Sequence, residues 1–260
     1  MNQPSPPSGA ACRLPLIVAI DGPAGSGKST AARNLARAEG LAYLNTGAMY
    51  RAVTHLVMEG GIDAERDPEQ VAEVARRMDF RYGFEDDEPR FWVAPQPGGK
   101  LLDLTPVLFT AALTQKLKPV VNNPGVRAAV VEKTRAAARE LTAQGRRGVV
   151  LEGRDTGTVI FPEAFLKVYL RADLEERARR RAAELRQRGE QVREDGLRGQ
   201  IEYRDTIDVT RVIGPLKQAP DAFEVDTTHR QPEETLAILR RELARRLREA
   251  QGLGSKEGRS

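Results

Sequence analysis

Eight consecutive residues, Gly22-Pro23-Ala24-Gly25-Ser26-Gly27-Lys28-Ser29, fit the pattern G-x-x-x-x-G-K-[ST], and Thr30 adds a further hydroxyl. Glycines let a backbone curl until successive N–H groups face one anion, and a helix starting there adds its positive end. A lysine at position 28 reaches the β- and γ-phosphates of a nucleoside triphosphate, and the Ser29 hydroxyl is the expected ligand of Mg²⁺. The apolar run before the loop and the helical stretch after it are the context this chemistry requires. The motif establishes a triphosphate site and leaves open what else is bound, because many P-loop proteins share it. A GTPase would add D-x-x-G and N-K-x-D, and neither occurs in the chain.

Three later stretches carry residues suited to a second anion. In YLNTGAMYRAV a short strand precedes Thr46, the expected N-cap of a helix that places Tyr50 and Arg51 about one turn in. A hydroxyl, a phenol and a guanidinium can together grip a phosphate monoester. In VVLEGRDTGTVIFPEA, Arg154 and Asp155 follow a buried strand, at the sheet edge where open α/β proteins bind ligands. They offer a bidentate fork for an anion and an acceptor for a base amino group. A salt-bridged loop is the competing reading, above all for Glu152. In YRDTIDVTRVIGPL, Arg204, Asp208 and Arg211 fall at i, i+4 and i+7, one helical face, before a Gly-Pro break.

The elements that must position these residues alternate. Strands are expected at Leu16–Ile20, Leu41–Leu44, Gly148–Leu151, Leu166–Leu170 and Ala222–Val225, separated by helical segments rich in Ala and Arg. That is the pattern of a five-stranded parallel sheet wrapped by helices, an α/β fold. Met78–Leu104 breaks the rhythm with aromatics, acidic turns and Pro-Gly-Gly, and reads as a small antiparallel module of two or three strands. Helices are expected from Pro106 to about Lys118, Pro124 to about Gln144 and Pro232 to Ala250. From Arg171 to Arg211 there are eleven Arg and ten Asp or Glu. Such a nearly neutral window is a helical hairpin suited to a lid and not a polybasic nucleic-acid surface.

The 260 residues, with a formal net charge of +4, can bury a full core. No nucleic-acid or membrane partner is expected, since no apolar run approaches a membrane span. A single cysteine, Cys12, permits no intrachain disulfide, and a cytoplasmic location is expected. Residues 1–13 and 252–260 read as disordered tails.

In this order, DGPAGSGKST, NTGAMYRA, EGRDTGTVIFPEA and YRDTIDVTRVIGPLKQAPDAFEVDTT closely resemble the bacterial cytidylate kinase family. The resemblance runs from about Leu16 to the last helix. It implies a P-loop nucleoside-monophosphate kinase fold over residues 14–251; separately, the chain is expected to act as a monomer. The core would be 14–45, 147–170 and 212–251, with an NMP-binding part at about 46–146 carrying the antiparallel insert, and a lid at about 171–211. It implies ATP on residues 22–30: Gly22, Pro23, Ala24, Gly25, Ser26, Gly27, Lys28, Ser29 and Thr30. Thr46, Tyr50 and Arg51 would sit with CMP or dCMP, Arg154 with its phosphate and Asp155 with the cytosine. Arg204, Asp208 and Arg211 would serve phosphate and ribose, and Arg127, in NNPGVRAAV, would help read the base. The γ-phosphoryl transfer, with ATP and Mg²⁺, would be catalysed by Lys28, Arg154 and lid arginines Arg177 and Arg181. Two positions depart from the family. Leu108-Phe109-Thr110 stands where Ile-Arg-Thr is usual, and Lys118 stands near a position often held by serine, which leaves uridylate acceptance open. A related kinase acting on UMP, dTMP or dephospho-coenzyme A is one alternative, and a regulatory nucleotide-binding protein without an acceptor is another.

Overall fold

The computed structural model describes residues 16–85, 88–187 and 194–252. The expected tails at 1–13 and from 253 onward lie outside the described residues. Five parallel strands form the main sheet: β1 (Leu16–Asp21), β2 (Ala42–Asn45), β6 (Gly148–Gly153), β7 (Leu166–Arg171) and β8 (Phe223–Asp226), in the order β2-β6-β1-β7-β8. Their near-continuous Val, Ile and Leu content is what a sheet covered on both faces demands. Val18, Ile20, Val150, Leu166, Val168 and Leu170 are buried against α1 (Lys28–Glu39) and α9 (Pro232–Ala250). On the opposite face, Ala19, Leu44, Val149 and Leu151 meet α6 (Pro124–Ala143).

Between β2 and β6 lie α2 (Thr46–Glu59), α3 (Pro68–Arg77) and a separate antiparallel sheet. Its strands, β3 (Asp79–Glu85), β4 (Glu88–Ala94) and the two-residue β5 (Leu102–Asp103), occupy the region expected for the insert. Phe91 anchors that sheet to a second core with Met49, Val53, Met78 and Val130. The expected helix from Pro106 to Lys118 is instead turns followed by two short helices, α4 (Ala111–Gln115) and α5 (Leu117–Asn122). Pro119 is the reason: it has no N–H to donate to Gln115, so one helix cannot run through. Between β7 and β8 come α7 (Leu174–Gln187) and α8 (Glu194–Thr210), the hairpin expected of a lid. No helix among the described residues is long and apolar enough to cross a membrane.

The last helix packs through Leu239 and Leu243 and is braced along its own length by charge. Glu242 accepts from Arg245 at 2.7 Å and from Arg246 at 2.8 Å. Hydrogen bonds from Arg245 and Arg246 outweigh burial and hold its carboxyl down at about 2. A carboxyl depressed on folding stabilises above its unfolded value, and that contribution is lost as pH falls through the folded one. Glu242→Gln is therefore expected to lower unfolding free energy by about 1 kcal/mol at neutral pH. The difference should shrink as pH drops from the ordinary value of 4.5 towards about 2, as urea titrations at several pH values would measure.

Candidate active site

Strand register brings the predicted residues to one edge. Asp21 pairs with Gly153 and Asn45 with Glu152, so the loops after β1, β2 and β6 leave the sheet side by side. Asp21 accepts from the Thr156 N–H at 2.9 Å, the Thr156 hydroxyl at 2.8 Å and the Gly157 N–H at 2.8 Å. These bonds fix the π-helical turn Thr156–Ile160 that follows Arg154 and Asp155. Burial raises the Asp21 carboxyl against the pull of those bonds. Glu152 accepts from Tyr43 at 2.6 Å and Asn45 at 2.8 Å, which ties β2 to β6.

The phosphate loop runs from β1 into α1. Lys28 is buried and its ammonium donates to the Pro23 carbonyl at 2.6 Å. Burial, and then Arg154, push its pKa well below the ordinary lysine value. Ser29 is exposed on the first turn of α1. Among the described residues no group of three His, Cys, Asp or Glu could cage a metal. The hydroxyl of Ser29 suits Mg²⁺ shared with triphosphate oxygens and water, the usual arrangement for this ion.

The second set converges from four elements. Arg51, buried on α2, donates to the Leu108 carbonyl at 3.2 Å and the Thr114 hydroxyl at 2.7 Å, and lies 5.3 Å over the Phe109 ring. Phe109, at the position where the family usually has arginine, thus supplies a π-face to a neighbouring arginine. Arg154 donates from Nε to Asp208 at 2.7 Å, and Arg211 lies 3.7 Å from the same carboxylate. Arg211 falls just beyond the end of α8 but stays with its group. Burial would raise Asp208, yet Arg154, Arg204 and Arg211 together hold it below the ordinary range. Burial and the neighbouring Arg204, Arg154 and Arg181 push Arg51 down to about 9. Burial and Arg154 push Arg204 to about 10. Neither Arg51 nor Arg204 forms an ion pair among the described residues. Mutually repelling guanidiniums short of carboxylates make a site for an anion.

Beside them, the buried Arg127 pairs with Asp155 and stacks 5.7 Å over Tyr50. Gly214, at φ +59°, closes over this pair, and a Cβ there would lie 1.8 Å from Arg127 and 2.2 Å from Asp155. Only glycine fits. The Tyr50 hydroxyl is buried without a partner, and burial pushes it up to about 12. Nine buried side-chain polar atoms among the described residues lack a hydrogen bond. Five belong to the two sets: Ser26 Oγ, Tyr50 Oη, Arg127 Nε, and Arg211 Nε and Nη2. Each such atom costs about 1–3 kcal/mol unless something binds it.

Two expectations change. The N-cap of α2 is Asn45, whose side chain accepts from the Ala48 N–H, while Thr46 is already helical and donates to the Glu152 carbonyl at 3.0 Å. Arg177 does not present a free guanidinium to a phosphoryl group. It donates to the Ala172 carbonyl at 3.0 Å and the Ala24 carbonyl at 3.1 Å, and pairs with Asp205. Arg181, paired with Glu184 at 2.7 Å, is the lid arginine whose charge is felt by Arg51 and Arg204. Sequence reasoning noted Phe109 only as a departure from the family and missed Thr114 and Gly214 as parts of the site; of these two only Gly214, placed before Pro215, left a turn signal.

A parallel five-stranded sheet, a phosphate loop after its first strand and arginines close enough to act on Lys28 at the same edge are the frame of a P-loop kinase fold. The sequence pattern of the family described as cytidylate kinase matches residues 18–245, and the chain belongs to that family. The cytidylate kinase of Exiguobacterium sibiricum is 40% identical over 85% of this chain and 94% of its own length. That of Caldanaerobacter subterraneus is 39% identical over 86% and 92%. A bifunctional pantoate ligase/cytidylate kinase of Synechococcus sp. (strain JA-3-3Ab) is 43% identical over 86% of this chain, which spans only 39% of that protein.

Proposed function

We propose that the chain transfers the γ-phosphoryl group of ATP to CMP or dCMP, giving the diphosphate and ADP. The observation that carries this reading is the gathering of Arg154 and Arg181 close enough to depress both Arg51 and Arg204, which form no ion pair among the described residues, with Arg154 and Arg204 also acting on Lys28 of the phosphate loop. A triphosphate alone would not need it. The N–H groups of the loop and Lys28 hold the donor. Arg51 and Arg154 hold the acceptor phosphate, with Arg204 and Arg211 beside it and Asp208 aligning Arg154. Arg127, Asp155 and Tyr50 face the base and sugar. Mg²⁺, held through Ser29, supplies charge neutralisation on the triphosphate when bound. Two anions repel, so the arginines do the work of bringing them together and stabilising the charge that spreads in transfer. No general base is required, because the acceptor phosphate is already ionised. Arg181, on the lid, completes the cluster when the hairpin closes and excludes water.

The test is ADP release from ATP–Mg²⁺ with CMP, dCMP, UMP, dTMP and dephospho-coenzyme A offered in turn. The expected result is turnover highest with CMP and dCMP. Highest turnover with another acceptor would reassign the substrate, and absence of acceptor-dependent turnover would sink the kinase reading.

A further inference from the structure

The phosphate loop is braced from behind. Arg177 donates to the Ala24 carbonyl at 3.1 Å, and Thr227, just past β8, donates from its hydroxyl to the Ser26 carbonyl at 3.0 Å. A trans peptide is planar, so its C=O and the following N–H point to opposite sides. A carbonyl drawn backwards by Thr227 therefore turns the Gly27 N–H forwards. Arg177 does the same for the Gly25 N–H. Gly25 and Gly27 have φ of +77° and +83°, and alternation of such residues is how successive N–H groups come to face one anion.

Thr227 is well placed to hold this geometry. It is buried, and its hydroxyl has a single proton with two carbonyls in reach, Ser26 at 3.0 Å and Arg171 at 3.1 Å. The Arg171 carbonyl already accepts the Thr227 N–H at 2.8 Å, which favours donation to Ser26. Arg180 of α7 donates to the Thr227 oxygen at 3.1 Å and fixes the direction of its proton. The hydroxyl thus links the lid helix, the end of the sheet and the loop.

We propose that Thr227 is a positioning residue for the donor phosphates, holding the Ser26–Gly27 peptide so that its N–H faces the anion. The inference rests on the assignment of the ATP phosphates to this loop. Thr227 touches no phosphate, and its effect must fall on donor affinity and not on the acceptor.

Thr227→Val keeps the shape and removes the hydroxyl; Thr227→Ser restores it. Calorimetry of the full chain with ATP–Mg²⁺, and separately with inorganic tripolyphosphate, would be combined with KM values for ATP and CMP. The Val variant should weaken both polyphosphates by about tenfold, the scale of one hydrogen bond, with the KM for CMP within about twofold of wild type. The Ser variant should recover most of the loss. Unchanged polyphosphate affinity in the Val variant would overturn the proposal, as would an equal loss for CMP, which marks general damage. Failure of the unaltered protein to bind ATP or tripolyphosphate would instead strike the donor-site assignment, and this inference with it.

Discussion

Arg154→Ala should lower kcat for CMP phosphorylation about a thousandfold, roughly 4 kcal/mol of transition-state stabilisation, with ATP affinity changed little. In the proposed function the guanidinium lies between the two anions. Its Nε is held by Asp208 at 2.7 Å and Nη1 by the Gly153 carbonyl at 3.2 Å. Its charge is close enough to depress the pKa values of Lys28, Arg51 and Arg204. Removing it relieves that repulsion, so ground-state donor binding survives while the developing charge loses its nearest compensator. Asp208 loses its 2.7 Å partner and keeps Arg211, at 3.7 Å, and the charge of Arg204, so a lower Tm is expected as a side effect. Arg154→Lys separates the two effects: the charge stays and the fork is lost, so Tm should recover further than kcat. Steady-state kinetics, ATP titration and thermal melts of both variants decide it. Unchanged turnover in Arg154→Ala would remove the residue from the chemistry.

The sheet and the chemistry at its edge were legible from the chain because both rest on local pattern. Short β-rich runs marked the five strands, four of them to within one residue and β6 short by two at its end, and G-x-x-x-x-G-K-S sat where strand gives way to helix. Arg154 and Asp155 were readable because they end a buried strand. What the sequence concealed depends on contacts across long separations. Arg177 reads like any lid arginine until Ala24 and Asp205 are seen to take up its donors. Thr46 looks like a cap, but the Asn45 side chain takes the Ala48 N–H, and the Thr46 hydroxyl donates to β6 instead. Phe109 seemed to subtract a charge, whereas its ring lies beneath Arg51 and packs 5.9 Å from Phe91. The split of the helix after Pro106 was within reach, since Pro119 alone forbids continuity.

Arrangement of charge also separates the two halves of the cleft. The end proposed for the phosphates gathers Arg154, Arg204 and Arg211 around one carboxylate, Asp208, while the end proposed for the base holds a matched pair, Arg127 with Asp155, sealed by Gly214. An excess of positive charge attracts any phosphate. A buried, oriented acceptor can tell one base from another.

Asp155→Asn should therefore reduce the preference for CMP over UMP, as the ratio of kcat/KM values, by about a hundredfold or more. A carboxylate only accepts hydrogen bonds. Cytosine presents an amino donor where uracil presents a carbonyl, so an ionised Asp155 attracts one and repels the other. Asparagine can offer either its oxygen or its NH₂ group, and the discrimination collapses. Burial raises the Asp155 carboxyl although Arg127 and Arg211 oppose the shift. Protonation of the raised group supplies an O–H that uracil can accept, so selectivity for CMP should fall with pH, beginning above the range of an ordinary carboxyl. That decline should vanish in the Asn variant, which has nothing to titrate. The KM for ATP should hold steady, because the pair lies apart from the phosphate loop. Loss of the carboxylate charge leaves Arg127 buried against neutral partners, the Val121 carbonyl at 3.4 Å and the Tyr50 ring, so a lower Tm is also expected. A general loss of packing would lower turnover with both bases alike and leave their ratio in place. An unchanged ratio across pH in both proteins would place the discrimination of cytosine elsewhere in the cleft.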